Sequence, residues 1–375
     1  MVRKRRVWTA ARMGAALALA ACARGEAADA PVKAPQLALP GWSLAPAARV
    51  GGAAAGEQEQ LFNVTSVAED AQGRFYVANA GDKRVLVFDS TGAYVRTIGR
   101  GGSGPGEFTA PRAVAPVGAD GLMVLDLATG RLSRFRRSDG MFLGDVSLPG
   151  DAGMPYDMRA TPSGVVAVEF RPPPRTGVQS PAYLARVDTA TGAVDRAGAV
   201  TLDTVARAQV RTEQKRGRSS VTLDLPFAPR PVWDVEADGS ILFGTGARYE
   251  VSRARGGQRS VAFHGTGEPR AVTGRDRDGF FASSPATEQF RGKVELPRTH
   301  PYFTGLRAGP NGLLWVRLPG HTGEHWEVRD AAGTVQGVLD LPKGSRLMLV
   351  SSGAVYVLSR DEEDVETVDR LALRR

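Results

Sequence analysis

A glycine turn followed by a short apolar run recurs six times along this chain. The turn glycines are Gly73, Gly121, Gly164, Gly239, Gly312 and Gly353, spaced 48, 43, 75, 73 and 41 residues apart. The runs behind them are Phe75-Tyr76-Val77, Leu122-Met123-Val124-Leu125, Val165-Val166-Ala167-Val168, Ile241-Leu242-Phe243, Leu313-Leu314-Trp315-Val316 and Ala354-Val355-Tyr356-Val357. A second set of turns follows: DSTG (89–92), RSDG (137–140), DTATG (188–192), ARGG (254–257) and DAAG (330–333). Gly-bearing turns between β-rich runs mark hairpins. The first runs are apolar at successive positions, so both faces of each strand must be covered. A two-layer sandwich would leave one face polar, whereas blades packed radially cover both. Three spacings match the roughly 40–50 residues of a four-stranded blade, and the two long ones a blade plus about 30 residues. The expected fold is all-β: a six-bladed β-propeller of four-stranded antiparallel blades over 43–375, with insertions at about 201–232 and 264–305.

Residues 1–22 read as an export signal and not as part of that body. Arg3, Lys4, Arg5, Arg6 and Arg12 make a positive region, and the apolar run 13–21 is too short to span a bilayer. No stretch of the chain approaches the ~20 apolar residues of a spanning helix. The run ends Leu19-Ala20-Ala21-Cys22, and Cys22 is the only cysteine among 375 residues. One cysteine excludes a disulfide framework and any multi-Cys zinc or iron–sulfur centre. The segment resembles the lipobox of bacterial lipoproteins. That resemblance implies cleavage before Cys22, acylation of Cys22, and membrane lipid as a partner. Two or three acyl chains, at ~0.8 kcal/mol per buried CH₂, anchor stably where one does not. Residues 23–42, rich in Ala and Pro, read as a flexible tether. Ala23 follows the cysteine where an Asp is absent. By resemblance to enterobacterial sorting, this implies the periplasmic face of the outer membrane. Removing 1–22 leaves 43 basic against 40 acidic residues, so the net charge falls from +8 to +3. The basic surplus of a nucleic-acid-binding surface is then missing, and no nucleic-acid partner is expected.

Residues 67–114 resemble an NHL repeat in the DAQG turn, YVAN, KRVLVFD, the DSTG turn and the GSGPGEF…P link. Residues 114–148 match more loosely, and later units only in turn spacing. The chain from about 43 onward resembles the six-bladed β-propeller lipoproteins of bacteria. In that fold an N-terminal strand usually completes the last blade. Unit 345–375 is one strand short, and Leu44–Val50 is the candidate to fill it. Closure removes the sheet edges that invite pairing with other chains, and a monomeric propeller is expected.

With strands a to d running outward in each blade, the tight a–b and c–d turns share one face. The b–c loops and d–a links share the other. Every long segment falls there: 99–108, 170–181, 201–232, 264–305 with a helix-like stretch at Thr273–Phe281, and RLPGHTGEH at 317–325. Long loops on a rigid scaffold carry binding. The expected function is a membrane-anchored, extracytoplasmic module that binds an envelope protein or a small ligand through this face. Asn79, Asp126, Glu169 and Arg317 end the second strands of four blades, with Gly244 and Leu358 at the matching places. These four are the candidate ligand-binding ring at the channel mouth. Related six-bladed lactonases and arylesterases hold calcium or zinc there, so the resemblance implies an alternative: a metal-dependent hydrolase or lyase. Oxygen ligands suit calcium, but two of the six places offer none and Arg317 repels a cation. The binding-module reading needs no cofactor.

Three motifs remain. His321-Thr322-Gly323-Glu324-His325 matches H-x-x-E-H, a zinc-peptidase pattern that requires a helix. Pro319, Gly320 and Gly323 break any helix there, which leaves His321 and His325 as a candidate loop site for zinc or copper. GRGGSG (99–104) fits G-x-G-x-x-G, but Pro105 and Phe108 lead into the next blade and no helix opens, so no nucleotide is expected. DEED (361–364) reads as a solvated charge run. Arg207, Arg211, Lys215, Arg216 and Arg218 form a basic stretch in the first insertion. Trp233, Trp315 and Trp326 read as packing between blades.

Overall fold

The computed structural model describes residues 34–161, 164–173, 181–203, 207–214 and 217–375. The expected signal, Cys22, and the part of the expected tether before 34 lie outside the described residues, as do Lys215 and Arg216. Two strands come first, β1 (Gln36–Ala38) and β2 (Ser43–Gly51). Blade 1 is β3 (Val64–Glu69), β4 (Phe75–Asn79), β5 (Arg84–Phe88) and β6 (Tyr94–Ile98). Blade 2 is β7 (Pro111–Val117), β8 (Gly121–Asp126), β9 (Arg131–Arg136) and β10 (Phe142–Val146). Blade 3 is β11 (Met154–Ala160), β12 (Val166–Arg171), β13 (Tyr183–Val187) and β14 (Val194–Thr201). A separate hairpin follows, β15 (Arg207–Gln214) with β16 (Gly217–Asp224). Blade 4 is β17 (Val232–Val235), β18 (Ile241–Gly244), β19 (Glu250–Arg255) and β20 (Gln258–His264). Two helices, α1 (Gly274–Ala282) and α2 (Pro285–Glu288), precede blade 5: β21 (Gly305–Ala308), β22 (Leu314–Leu318), β23 (His325–Arg329) and β24 (Val335–Asp340). Blade 6 is β25 (Ser345–Val350), β26 (Ala354–Arg360) and β27 (Glu366–Arg374), completed by β2.

Each sheet is antiparallel in a–b–c–d order. The first strands lie beside one another around a central channel, and β25 of blade 6 meets β3 of blade 1. The last blade is completed from the N-terminus as expected, with Ser43 opposite Arg374 and Gly51 opposite Thr367. The expected tether is partly sheet. β1 adds to blade 5 as a fifth strand, Gln36 opposite Asp340 and Ala38 opposite Val338, and Leu39 behind it is buried. Three residues in an Ala/Pro-rich stretch are too few for a pattern to show; the register comes from the open edge of β24. The first insertion forms the extra hairpin, and the second carries α1 where the sequence reads as helix. Thr273 caps α1: its side chain accepts from Asp276 N–H, while the Asp276 carboxylate accepts from Thr273 N–H.

The core is six wedges, one between each pair of neighbouring blades. Alternate residues of one second strand feed two of them. Phe75 and Val77 of β4 pack toward blade 6 with Tyr356 and Leu358, while Tyr76 and Ala78 pack toward blade 2 with Leu122 and Val124. This is why these runs show no polar face. Trp233 packs between blades 3 and 4, and Trp315 and Trp326 between blades 5 and 6.

Candidate functional site

The four residues expected to ring the channel mouth do sit at or near the ends of second strands, and each is engaged by neighbouring side chains or backbone. Asn79 is fully buried; its Oδ1 accepts from Phe62 N–H at 2.7 Å, and its Nδ2 donates to the Gln60 carbonyl and to Asp82. Asp126 Oδ2 accepts from Thr109 and Ala110 N–H at 2.6 and 2.9 Å, and Oδ1 from Thr129 N–H and Oγ1. Burial raises the Asp126 pKa, but this set of donors outweighs burial and holds it below the ordinary carboxylate value. Glu169 accepts from Arg171 Nε and, across the blade 3–4 junction, from Trp233 Nε1 at 3.1 Å. Arg317 donates to Thr304 Oγ1 at 2.8 Å and to Glu324 at 2.6 Å. Among the described residues, no three His, Cys, Asp or Glu side chains are placed to hold a metal ion. Asn79, Asp126 and Glu169 spend their oxygens on backbone, guanidinium and indole donors, and Arg317 is itself a cation, so these four side chains do not fit a calcium or zinc centre.

The H-x-x-E-H segment is a loop between β22 and β23. Glu324 is a hub: besides Arg317 it accepts from Trp326 Nε1 and from Leu347 N–H, joining blade 5 to blade 6. His321 and His325 stack, ring centroids 4.2 Å apart and 16° from parallel, and His325 Nδ1 lies 2.6 Å from Asp340 Oδ1. Partial burial, then the neighbouring His325, pushes the His321 pKa down. Gly320 has φ +86°, and a side chain there would meet Arg270 of the second insertion. Loop and insertion thus pack against each other on the b–c face. The glycine link 99–104 closes on itself through Gly102 N–H to the Phe108 carbonyl, and Phe108 is buried in the blade 1–2 wedge. DEED forms an exposed turn.

What faces the channel comes from the first strands, which the sequence reading passed over. Arg112 of β7 and Arg171 at the end of β12 both lie against the Tyr156 ring of β11, 5.6 and 2.9 Å from its centroid. Deeper in, Arg159 donates to Asp157 at 2.8 Å, and its Nε lies 3.8 Å from Asp234 of β17. Arg307 of β21 and Arg346 of β25 complete the set. Burial disfavours the charge on Arg159, yet Asp157 and Asp234 outweigh it and hold the pKa up. On Arg307 burial prevails and pushes the pKa down, with Arg159 adding to the effect against the pull of Asp234. Every carboxylate of this lining is engaged: Asp157 by Arg159, Asp234 by Arg159 and Ala308 N–H, Glu169 by Arg171 and Trp233. Arg112, Arg307 and Arg346 have no carboxylate partner among the described residues. The lining can therefore attract and hold negative charge. The signal was present in the sequence: an arginine inside PRAVAPV, MPYDMRA, GLRA and SRLMLV, strands otherwise mostly apolar.

Residues 57–164 match a family described as a 6-bladed beta-propeller (DUF5128). The fold is a six-bladed β-propeller. Solved structures resemble this propeller over nearly its whole length. One, a Bacteroides fragilis protein named for presumed export, is 13% identical with a TM-score of 0.55, over 90% of this chain and 96% of that one. Another, a Bacteroides vulgatus member of the DUF4221 family, is 11% identical with a TM-score of 0.55, over 91% of this chain and 99% of that one. At such identities the likeness is one of fold. No curated protein matches the propeller significantly in sequence.

Proposed function

We propose that this propeller is an exported, lipid-anchored module of the cell envelope that binds a ligand or partner on its b–c face. The observation that carries this reading is the convergence of the long links and both insertions on one end of a channel whose lining has arginines to spare. Export is supported by the basic-then-apolar segment 1–22, anchoring by LAAC at 19–22, and extracytoplasmic location by the name of the Bacteroides fragilis neighbour. Among the described residues, no converging His, Cys, Asp or Glu side chains favour the metal-dependent hydrolase reading.

Cell fractionation and site-specific photo-crosslinking test the two halves. The full chain should enter the detergent phase, and Cys22→Ser should leave it. A photo-reactive residue at Ser103 or Thr322, both exposed on the b–c face, should give discrete adducts in intact envelopes. The same residue at Gln72 or Ser138, exposed on the turn face, should give none. Adducts from both faces alike, or from the turn face alone, would refute the assignment of the working face.

A further inference from the structure

One tier of the channel is polarised. In each blade one first-strand residue stands opposite the second-strand residue two places before Asn79, Asp126, Glu169, Gly244, Arg317 or Leu358. These residues are Val67, Val114, Arg159, Asp234, Arg307 and Leu349. Blades 6, 1 and 2 are thus apolar at this level, and blades 3, 4 and 5 carry two guanidiniums and one carboxylate. Asp234 turns Oδ1 toward Arg159 and uses Oδ2 to accept Ala308 N–H at 2.9 Å. Arg307 is left over. Its Nη1 donates to the Leu306 carbonyl at 2.8 Å, its Nε is buried with no acceptor, and no described residue accepts from Nη2. Nε–H and Nη2–H form one edge of the guanidinium, which matches a carboxylate or phosphate through two parallel bonds. A buried cation with no carboxylate in contact is costly to a fold; Asp234, Glu324 and Asp157 attract Arg307 only through space, and the apolar residues at this tier in blades 6, 1 and 2 show that the architecture does not require a cation there.

We propose that Arg307 anchors an oxyanion site in the channel, where its Nε and Nη2 hold the carboxylate or phosphate head of a small organic acid. Arg159 supports the charge, and Arg112 and Arg346 stand nearer the b–c mouth, where an anion would enter. This deepens the ligand-binding reading by naming the chemical class; the export and crosslinking results can fail without touching it, and the reverse.

The test is calorimetric titration of the full chain in detergent with succinate and with inorganic phosphate, against chloride at matched ionic strength. Saturable binding of succinate or phosphate, one per chain, is expected. Arg307→Met should weaken it about tenfold or more, the loss typical of a charge-assisted hydrogen-bonded contact. Its anion-free melting temperature should stay level or rise, since an unpartnered charge has gone. Arg307→Lys keeps the charge but loses the fork, and should also weaken binding. Arg255→Met removes an exposed arginine beside the c–d turn of blade 4, on the opposite face, and should leave binding intact. No saturable binding by the unmodified chain beyond chloride would overturn the proposal whatever the variants do, and so would undiminished binding by Arg307→Met.

Discussion

Asp126 illustrates what a polar side chain does at the end of a buried strand in this fold. It is 1% exposed, and its two oxygens take donors from Thr109, Ala110 and Thr129. The link arriving from blade 1 is thereby clamped to the strand it must pass. Asn79 holds 60–62 in the same way, and Glu366 Oε2 accepts from Val64 N–H at 2.7 Å where blade 6 meets blade 1. Asp126→Ala should strip the partners from several backbone donors at once and cost about 3 kcal/mol in urea unfolding at neutral pH. The pH dependence follows from the lowered pKa. The folded chain binds the Asp126 proton less readily than the unfolded one, so the stabilisation is full above the model-peptide value of 3.8 and fades as pH falls through the lower folded value. The gap between the unmodified chain and Asp126→Ala should therefore narrow only below about pH 4. A gap that already closes between pH 6 and 5 would mean some other group carries the effect.

Among the elements, the second strands were legible from sequence because two wedges demand apolar residues on both faces of one strand, as in Phe75–Ala78. Four of the six first turns were legible because Gly73, Gly164, Gly239 and Gly312 take positive φ; in blade 2 the positive φ falls on Gly118 and not on Gly121, and Gly353 has none. What the residues do at the strand ends was not legible. A polar group after an apolar run serves equally as a channel-mouth ligand or as a clamp on a link, and only the position of residues 60–62 or 109–110 decides. The channel arginines were overlooked because they stand singly, one to a strand, with no spacing motif. β1 was hidden for a different reason: its pairing partner lies 300 residues away, and Gln36-Leu37-Ala38 has no periodicity of its own. A prediction separates strand from tether here. Leu39 is 5% exposed in the blade 5–6 wedge beside Leu339 and Leu341. Leu39→Ala should cost about 2 kcal/mol, at the low end for a buried leucine because the site is at the rim. A tether would show no change in the denaturation midpoint.

For the whole molecule, stability depends on a ring closed by residues from opposite ends of the sequence. β2 pairs with β27 along its length, Arg49 makes two bonds to Asp369 at 2.6 and 3.0 Å, and Val50 is buried in the blade 6–1 wedge. Those contacts span about 320 residues, so their loop-closure entropy is incurred before they form, which slows folding in proteins ruled by distant contacts. The antiparallel register offers a way to test closure itself. Ser43 stands opposite Arg374, so residues 43–51 can be moved behind Arg375 through a short hairpin turn, with the new chain beginning at 52. The same nine residues would then pair as a local hairpin. A chain of 52–375 alone leaves the outer edge of β27 bare and removes Val50 from the blade 6–1 wedge, and it should lose cooperative unfolding and aggregate through that edge. The rearranged chain should regain a single cooperative transition and refold faster than the original order. It should be less stable by roughly the contribution of β1 and Leu39, which it lacks. Cooperative folding of 52–375 without β2 would show that the other five junctions suffice, and that the terminal strand adds to blade 6 without closing the ring.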